Sequence, residues 1–416
     1  MEPLLKYFGY YNLKKGQGRA WSANQIKMKY RLQAILFVFV AFMLGCNEYM
    51  IVGVLPDIAH QYHDSLSKLG LLVTVFALVY AICTPLITSL ANRWKRHRVL
   101  LVLMVIFFIG NTWTALATNF ISILLSRILT ASVAGAIISL VLVMASCVAP
   151  REKRASLVSW VFAGFSIASV VGIPIGTIIS HTLTWHDSFW MITGLTIIVF
   201  ALLVWLVPRD TPQVKSSFNK QFVLLKDVRV LLGVCFIVCV CAADYSIYTY
   251  IRPLITDGMG FDYSWLNWLL FGMGIFFIIG NKFGGYLADR GGVHKLWSIY
   301  ATMTVLYLAF ASVLTLKWVA IVLIALLCIA FSCYGSSTQL MFLDIAEKEY
   351  PQSLDLASSL NSIFANIGIS LGSFTASQAV GFTAMKNLGY VGAVYGAIAT
   401  ILVLILHRQY QGMREF

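Results

Sequence analysis

Long apolar runs alternate with short polar connections along the whole chain. Each run holds about twenty residues, enough for an α-helix rising 1.5 Å per residue to cross a hydrocarbon core of about 30 Å. The pattern predicts an all-α integral membrane protein with twelve transmembrane helices. The predicted helices lie near residues 32–55, 67–87, 99–118, 121–145, 155–180 and 189–207, and then near 230–251, 264–284, 297–315, 318–342, 356–380 and 390–406.

The composition supports the same class of protein. Of the 416 residues, 59% are hydrophobic and only 11% are charged, and the mean hydropathy is +0.82. A soluble protein carries about 25% charged residues, roughly twice the fraction seen here. The composition therefore excludes a soluble chain of two or three globular domains.

The formal net charge of +13 is high enough to suggest a nucleic-acid-binding protein, so the position of each charge matters. If the N-terminus is cytoplasmic, the cytoplasmic segments hold 24 of the 30 Lys and Arg residues and the exterior segments hold four. This asymmetry is the positive-inside pattern of membrane proteins. It predicts a multi-pass protein of the plasma or cytoplasmic membrane with both termini in the cytoplasm, and no nucleic-acid partner.

The first predicted helix is too long for the apolar core of a cleaved signal peptide, so we expect it to be retained. A basic stretch precedes it, and either Met1 or Met28 fits as the start of the protein. The predicted divisions are a basic cytoplasmic tail at 1–31, six-helix bundles at 32–207 and 230–407, a central cytoplasmic loop at 208–229, and a cytoplasmic tail at 408–416.

The loop after the second predicted helix is repeated after the eighth. Residues 88–98 and 285–295 are offset by 197 positions, and four of the eleven aligned residues are identical. The same offset aligns Pro56 with Pro253 at the outer ends of the first and seventh predicted helices. Two landmarks in phase predict two pseudo-symmetric six-helix bundles, related by an axis along the membrane normal.

These loops resemble the loop signature of the major facilitator superfamily, Gly-x-Leu-Ala-Asp-Arg-x-Gly-Arg-Lys. The second copy keeps the first Gly and the Asp-Arg pair, whereas the first copy has Thr88 and Asn92 instead of that Gly and the Asp. The resemblance implies the major facilitator fold and a cytoplasmic gate that holds the halves together. Alternatively, the loop charges only set the topology. The candidate gate residues are Asn92, Arg93, Arg96, Arg98, Gly285, Asp289 and Arg290.

The fifth predicted helix carries Gly164, Gly172, Pro174 and Gly176. Glycines in a membrane helix let a neighbouring helix approach closely, which is a packing role. The spacing also resembles the motif of the twelve-helix drug:proton antiporter branch of the superfamily. The first and eleventh predicted helices are similar to those of arabinose and other sugar efflux permeases in that branch. The resemblance implies proton-coupled efflux of small molecules such as sugars or amphipathic drugs.

Three charged residues lie within predicted helices and away from their ends: Glu48, Arg127 and Asp244. A charge inside a membrane costs about 2.5–3.5 kcal/mol on insertion scales, so each is a candidate functional residue. All three lie at similar depth, and we expect them to face a central cavity. Our hypothesis is that Glu48 exchanges a proton and that Arg127 stabilises its charged form. The alternative is a structural ion pair, and Asp244 either binds substrate or hydrogen-bonds to neighbouring groups.

The tenth and eleventh predicted helices are unusually polar. Polar side chains inside a membrane protein face the bundle interior or a wet cavity. Together with two tyrosines of the seventh helix, they suggest a substrate cavity with aromatic and hydroxyl groups, although hydrogen bonding between helices explains them equally well. The candidate cavity residues are Tyr245, Tyr248, Ser332, Ser336, Gln339, Ser362 and Asn366.

No motif for catalysis or for a cofactor is present. The chain lacks a phosphate-binding loop of the Walker type, a nucleophile elbow and a His-Glu-x-x-His zinc site. None of the eight cysteines shows paired Cys-x-x-Cys spacing, so we expect no metal site and no cofactor. The predicted function is secondary active transport by a monomer whose partners are a small-molecule substrate, a proton and the lipid bilayer. The alternatives are a proton-coupled uptake symporter and, more remotely, a membrane receptor or integral-membrane enzyme.

Overall fold

The computed structural model describes residues 23–91, 94–149, 154–209, 222–288 and 293–412, and every regular element within them is helical. Twelve helices in these ranges are long and apolar enough to cross a membrane, which confirms the predicted fold class. The first six are α1 (Ala23–Tyr62), α2 (Leu66–Ala91), α3 (Arg96–Ala115), α4 (Phe120–Val148), α5 (Arg154–Thr182) and α6 (Trp185–Leu206). The second six are α7 (Val228–Tyr248), α8 (Tyr263–Ala288), α9 (Val293–Val313), α10 in two segments (Lys317–Ser332 and Tyr334–Glu349), α11 (Leu354–Phe382) and α12 (Leu388–Gly412).

Helix α1 begins at Ala23, before the predicted start at residue 32, and its membrane-crossing part is Met28–Tyr62. The additional turns are rich in Ala, Gln, Lys and Met, which favour helix without needing an apolar environment. The part of the predicted tail within the described residues is therefore helical. Three stretches of these predicted segments lie outside the described residues. They are residues 1–22 of the first tail, residues 210–221 of the central loop and residues 413–416 of the last tail.

The two halves repeat one packing scheme. In the first half α1 packs against α5 and α6, α2 against α4, and α3 against α4 and α6. In the second half α7 packs against α11 and α12, α8 against α10, and α9 against α10 and α12. Each pair of the second half is the pair of the first half moved six helices along, so the bundles are pseudo-symmetric.

The same close helix crossing occurs at equivalent places in the two bundles. A Cβ atom added to Gly164 of α5 would lie against the carbonyl oxygen of Val38 in α1. A Cβ atom added to Gly368 of α11 would lie 2.5 Å from the carbonyl oxygen of Val238 in α7. Backbones in contact leave no room for a side chain, so these glycines allow the helices to meet.

The other glycines of the α5 motif also pack against α1. Gly172 lies against Tyr49, where an added Cβ would be 3.3 Å from the Tyr49 Cβ, and Gly176 lies against Met50. Pro174 lies between them inside the helix. The three glycines of the motif thus all lie where α5 meets α1.

We call the end of the bundle where α1 begins and α12 ends the terminal face, and the opposite end the distal face. One buried apolar cluster contains most of the second half together with distal residues of α1 and α2, among them Leu55 and Leu72. A separate cluster contains terminal residues of the first half, among them Phe37 and Leu100. The halves therefore share a core near the distal face and have separate cores near the terminal face.

Candidate transport site

An ion pair joins the two halves at the distal face. Asp57 follows Pro56 on α1, and Arg252 precedes Pro253 in a short helix after α7. The Arg252 guanidinium donates to both carboxylate oxygens of Asp57, with Nη1–Oδ2 at 2.5 Å and Nη2–Oδ1 at 2.8 Å. Nη1 also donates to the carbonyl oxygen of Gly53. A two-point contact of this kind fixes both distance and orientation, so it holds α1 against the second half.

The sequence analysis did not identify Asp57 or Arg252 as candidate site residues. Arg252 was only one of the four basic residues in the predicted exterior segments. In the structure Arg252 is buried and the Asp57 side chain is only 28% exposed. Ser180 of α5 donates a further hydrogen bond to Asp57 Oδ2 at 2.5 Å. A signal was present: the repeat aligns Pro56 with Pro253, and each proline has a charged neighbour of opposite sign.

Two further contacts close the distal face between α2 and the second half. The hydroxyl groups of Ser67 and Ser377 each donate to the carbonyl oxygen of the other residue, which joins α2 to α11. Tyr250 donates to the carbonyl oxygen of Leu66 at 3.1 Å. Each contact uses a main-chain carbonyl, so it depends on how closely the backbones of the two halves approach.

Helices α5 and α8 close the remaining side of the distal face. Tyr263 of α8 donates to the carbonyl oxygen of Thr177 at 3.2 Å, and its ring stacks on His181 with centroids 4.2 Å apart. The Arg252 guanidinium lies over the same Tyr263 ring, 5.7 Å from its centroid. The aromatic stack therefore adjoins the ion pair.

Toward the terminal face the helices that line the centre pack within their own halves. Helix α4 packs against α1, α2, α3 and α5, and the second segment of α10 packs against α7, α8, α9 and α11. Ser336 and Ser362, which lie in this region of α10 and α11, are exposed. Among the described residues, the structure is thus closed at the distal face and more open toward the terminal face.

Arg127 lies wholly buried in the first half and is held by Asn47, not by Glu48. Its Nη1 donates to the carbonyl oxygen of Asn47 at 3.1 Å and to the Asn47 side-chain oxygen at 3.2 Å. The guanidinium also lies over the Phe76 ring, 4.0 Å from its centroid. The Asn47 amide in turn donates to the side chain of Asn111. Nε and Nη2 of Arg127 bond to none of the described residues.

Glu48 is half-buried at the same depth. Among the described residues no hydrogen bond or ion pair joins it to Arg127, although the two charges are close enough to interact electrostatically. Consecutive residues of a helix point about 100° apart, so Asn47 faces α4 while Glu48 points more toward the centre. Glu48 is near Tyr49, Tyr80 and Tyr245, of which Tyr80 also lies near Ser362 of the second half.

Asp244 is buried, and its carboxylate accepts no hydrogen bond from any of the described residues. It borders a small cavity of about 10 Å³ inside the second half, which Tyr248, Tyr307 and Cys328 also line. That volume suits about one water molecule. Tyr49 and Tyr245 are close enough to interact with both Asp244 and Glu48. The two acids predicted to share a cavity thus have different surroundings, with tyrosines near both.

The polar residues predicted on α10 and α11 divide into two groups. Ser332 donates to a carbonyl of its own helix, that of Cys328, at 3.0 Å, and Gln339 donates to the carbonyl of Ala357 at 3.4 Å. Asn366 is buried, and its side-chain oxygen accepts no hydrogen bond from the described part of the chain. Ser332 and Gln339 thus bond to main-chain carbonyls of the helices, whereas the Asn366 oxygen bonds to none of the described residues.

Two tyrosines predicted for the cavity form an aromatic group at the centre. Tyr245 and Tyr248 are buried and pack edge to face with centroids 5.5 Å apart. Tyr248 packs in the same way against Phe277 of α8, also at 5.5 Å. The aromatic wall therefore belongs to the second half, while Tyr49 and Tyr80, which the sequence did not single out, provide its counterpart in the first.

The predicted cytoplasmic gate is only partly described. Asn92, Arg93, Asp289 and Arg290 lie outside the described residues. Within them, Arg98 is exposed at the start of α3, and Arg96, the first residue of that helix, has an interaction partner. Gly285 lies near Ser336, whose Oγ would be 3.9 Å from an added Cβ. The latch role of these loops stays a prediction.

Comparison with known proteins identifies the family. The sequence model of the Major Facilitator Superfamily matches residues 37–373. The chain belongs to the major facilitator superfamily. It is 30% identical over 378 residues to an uncharacterized MFS-type transporter, YtbD of Bacillus subtilis, which covers 90% of this chain and 95% of the relative. It is also 30% identical over 389 residues to the inner membrane transport protein YdhP of Escherichia coli O157:H7, covering 92% and 97%.

A further relative has a functional name. A probable sugar efflux transporter of Mannheimia succiniciproducens is 25% identical over 374 residues, covering 90% of this chain and 93% of the relative. These matches make the chain a multi-pass membrane transporter of small molecules rather than an enzyme.

Two solved structures share the fold. A bacterial homologue of the human lysosomal transporter Spinster, inward-facing and unoccupied, aligns with a TM-score of 0.74 at 16% identity, covering 92% of this chain and 98% of that one. A D-xylose–proton symporter aligns with a TM-score of 0.74 at 14% identity, covering 90% and 96%. At such low identity the likeness concerns the fold alone.

Proposed function

We propose that the protein is a proton-coupled exporter of small molecules that works by alternating access. In this proposal the terminal face is cytoplasmic, and the structure is the state that is closed outside and open inside. The excess of Lys and Arg in the segments on the side of the termini supports this orientation. A relative named as an inner membrane transport protein supports a bacterial cytoplasmic membrane.

The observation that carries the proposal is a half-buried Glu48 without any bond among the described residues, close to a buried arginine. A carboxyl group that no neighbour holds in one charge state is free to take up and release a proton as its surroundings change. Arg127 is kept nearby by Asn47, and two of its donor atoms are unused. We assign proton exchange to Glu48 and the stabilisation of its charged form to Arg127.

The unused polar groups at the centre suggest where substrate binds. Asn366 offers an acceptor oxygen, Ser362 an exposed hydroxyl and Tyr80 a hydroxyl near both Ser362 and Glu48. Hydroxyl-rich or mixed polar and aromatic substrates fit such a wall. Substrate bound here would alter the surroundings of Glu48 directly, which is what coupling of substrate and proton requires.

Two features favour export. One relative is named a probable sugar efflux transporter, and the α5 glycine motif resembles that of antiporters. The alternative is uptake by symport, and a D-xylose–proton symporter has the same fold. Because the fold serves both directions, direction has to be measured.

Purified protein in liposomes, with a pH-sensitive dye inside, tests the proposal. An imposed proton gradient is combined in turn with candidate sugars and with lipophilic cationic dyes. We expect one class of compound to start a proton flux opposite to its own movement. A flux of proton and substrate in the same direction would show symport, and substrate movement without any proton flux would refute proton coupling.

A further inference from the structure

A groove of about 840 Å³ lies between α1 and α5 on their terminal halves. Its walls are apolar and aromatic, with Phe39 and Phe42 stacked at 6.0 Å on one side and Trp160 on the other. Pockets of this size hold organic ligands in many proteins. It is far larger than the cavity beside Asp244 and separate from it.

The groove lies where the two halves separate. Helix α8 packs on α5 around Val170, which lies against Gly274. Nearer the terminal face, Trp160 of α5 is 61% exposed and Phe283 of α8 is 44% exposed. Ile35 on the α1 side of the groove is 65% exposed. These exposed side chains are apolar and lie in membrane-spanning segments, so the acyl chain of a lipid is a fitting neighbour for the groove.

One end of the groove is polar. Arg31 and Tyr30 line it at the terminal end. Arg31 is exposed, and neither its guanidinium nor the Tyr30 hydroxyl has a bond to any of the described residues. From Arg31 to Phe42 the helix rises about 16 Å, at 1.5 Å per residue. This is about half of a 30 Å hydrocarbon core, the depth of one leaflet.

We propose that this groove binds an anionic phospholipid of the leaflet at the terminal face. An acyl chain lies along Phe39, Phe42 and Trp160. Arg31 pairs with the headgroup phosphate, and Tyr30 donates a hydrogen bond to it. The bilayer is as apolar as the groove, so contact between the groove and an acyl chain does not favour one lipid over another. Selection comes from the charge, since one Arg at the membrane surface favours anionic lipid.

Native mass spectrometry of the purified full chain tests the proposal. The probes are phosphatidylglycerol, which is anionic, and phosphatidylcholine, which has no net charge, at one fixed lipid-to-protein ratio. We expect the wild-type protein to retain one phosphatidylglycerol in preference to phosphatidylcholine. Arg31→Gln should retain about fivefold less phosphatidylglycerol, the effect of one surface charge at roughly 1 kcal/mol. The matched control is Arg408→Gln, because Arg408 is exposed near the same face but does not line the groove.

A second variant tests the chain-binding part. Ala34 lines the groove, and Ala34→Phe should fill it and lower retention of phosphatidylglycerol while Arg31 stays in place. In parallel, phosphatidylglycerol with brominated chains should quench wild-type fluorescence more than that of Trp160→Phe. Unchanged thermal unfolding of each variant shows that it is folded.

Three results would overturn the proposal. The first is equal retention of phosphatidylglycerol by the wild type and Arg31→Gln, and the second is an equal loss in Arg408→Gln. The third is binding of a lipophilic cation in the groove, lost in Ala34→Phe, without retention of phosphatidylglycerol. That last outcome would assign the groove to a cationic substrate.

Discussion

Arg252 and Asp57 form a two-point ion pair beside Pro253 and Pro56, which are equivalent positions of the internal repeat. Pseudo-twofold symmetry brings equivalent segments of two repeats together near the axis, as it does at a dimer interface. Opposite charges lie next to the two prolines, so an ion pair joins the halves where these equivalent segments meet. Alternating access requires this bond to break when the distal face opens.

Removing the Arg252 charge should favour the state that is open at the distal face. Arg252→Gln leaves Asp57 without its partner, and since the pair is only partly buried we expect a shift of about 1–3 kcal/mol, less than for a fully buried pair. The measurement is disulfide cross-linking of a Ser67→Cys/Ser377→Cys pair, which requires the closed face. Cross-linking should fall in Arg252→Gln.

The control for that experiment is Lys68→Gln. Lys68 pairs with Asp64 four residues earlier on the same face, so that ion pair lies within the first half and is partly exposed. We expect its loss to leave cross-linking unchanged. Equal cross-linking in the wild type and Arg252→Gln would show that the ion pair does not hold the distal face closed.

Asn47 should matter more to stability than Asn111, although the two side chains are bonded to each other. Asn47→Leu removes the side-chain acceptor of a buried guanidinium that already has two unused donors. Leaving buried donors unsatisfied costs about 1–3 kcal/mol, and more when they are charged. Asn111→Leu removes only hydrogen bonds between neutral groups, one from the Asn47 amide and one to the carbonyl oxygen of Phe107. Thermal unfolding in detergent should show the larger decrease for Asn47→Leu, and an equal or larger decrease for Asn111→Leu would contradict the assignment.

The twelve helices, their duplication and the three charges within them were predictable from sequence, because the length of an apolar run and the presence of a charge are local properties. The partner of Arg127 was not. Glu48 and Asn47 are adjacent, and a rotation of one residue decides which of them faces α4. The pairing of Arg252 with Asp57 depends on how the halves dock, and its one signal in the sequence was the repeat that aligns their neighbouring prolines.

The start of α1 was also missed, since residues 23–31 are polar and helical at once. Polarity alone also could not predict which polar residues bond within the helices. Ser332 bonds to its own helix, whereas the Asn366 oxygen bonds to none of the described residues. A polar residue in a membrane helix indicates a polar neighbour but not which one.

Gly164 should tolerate no side chain. Gly164→Ala places a methyl group against the Val38 carbonyl oxygen, so α1 and α5 have to move apart. Overpacking of this kind costs roughly 1–3 kcal/mol. Gly194→Ala is the matched control, because nothing lies within 4 Å of its added Cβ, and alanine favours helix by up to about 1 kcal/mol. The unfolding temperature should fall in Gly164→Ala and stay or rise in Gly194→Ala; the reverse order would contradict the packing role.

Acid should weaken a network at the terminal face. Hydrogen bonds from Arg229 hold the pKa of Asp227 below its usual range, and Arg229 also pairs with Glu349 at 2.6 Å, which joins α7 to α10. Because the folded pKa is lowered, the stabilisation is complete above the unfolded pKa of about 4 and is lost as the pH falls through the folded pKa. Below about pH 4 the unfolding temperature of the wild type should fall more steeply than that of Asp227→Asn.

The exposed Asp262 provides a control for this pH dependence. Asp262→Asn should follow the wild-type curve, since the substitution removes a carboxyl group outside the network. Parallel curves for the wild type and Asp227→Asn would mean that this aspartate contributes nothing to acid sensitivity.

The most direct test of proton coupling compares two kinds of transport by Glu48→Gln in liposomes. Substrate exchange across a membrane without a gradient needs only binding and rocking of the halves, whereas accumulation driven by a proton gradient needs the proton site. We expect Glu48→Gln to keep exchange and to lose gradient-driven accumulation, while Glu347→Gln, a change of an exposed glutamate, keeps both. Gradient-driven accumulation by Glu48→Gln at the wild-type level would contradict the assignment of the proton to Glu48.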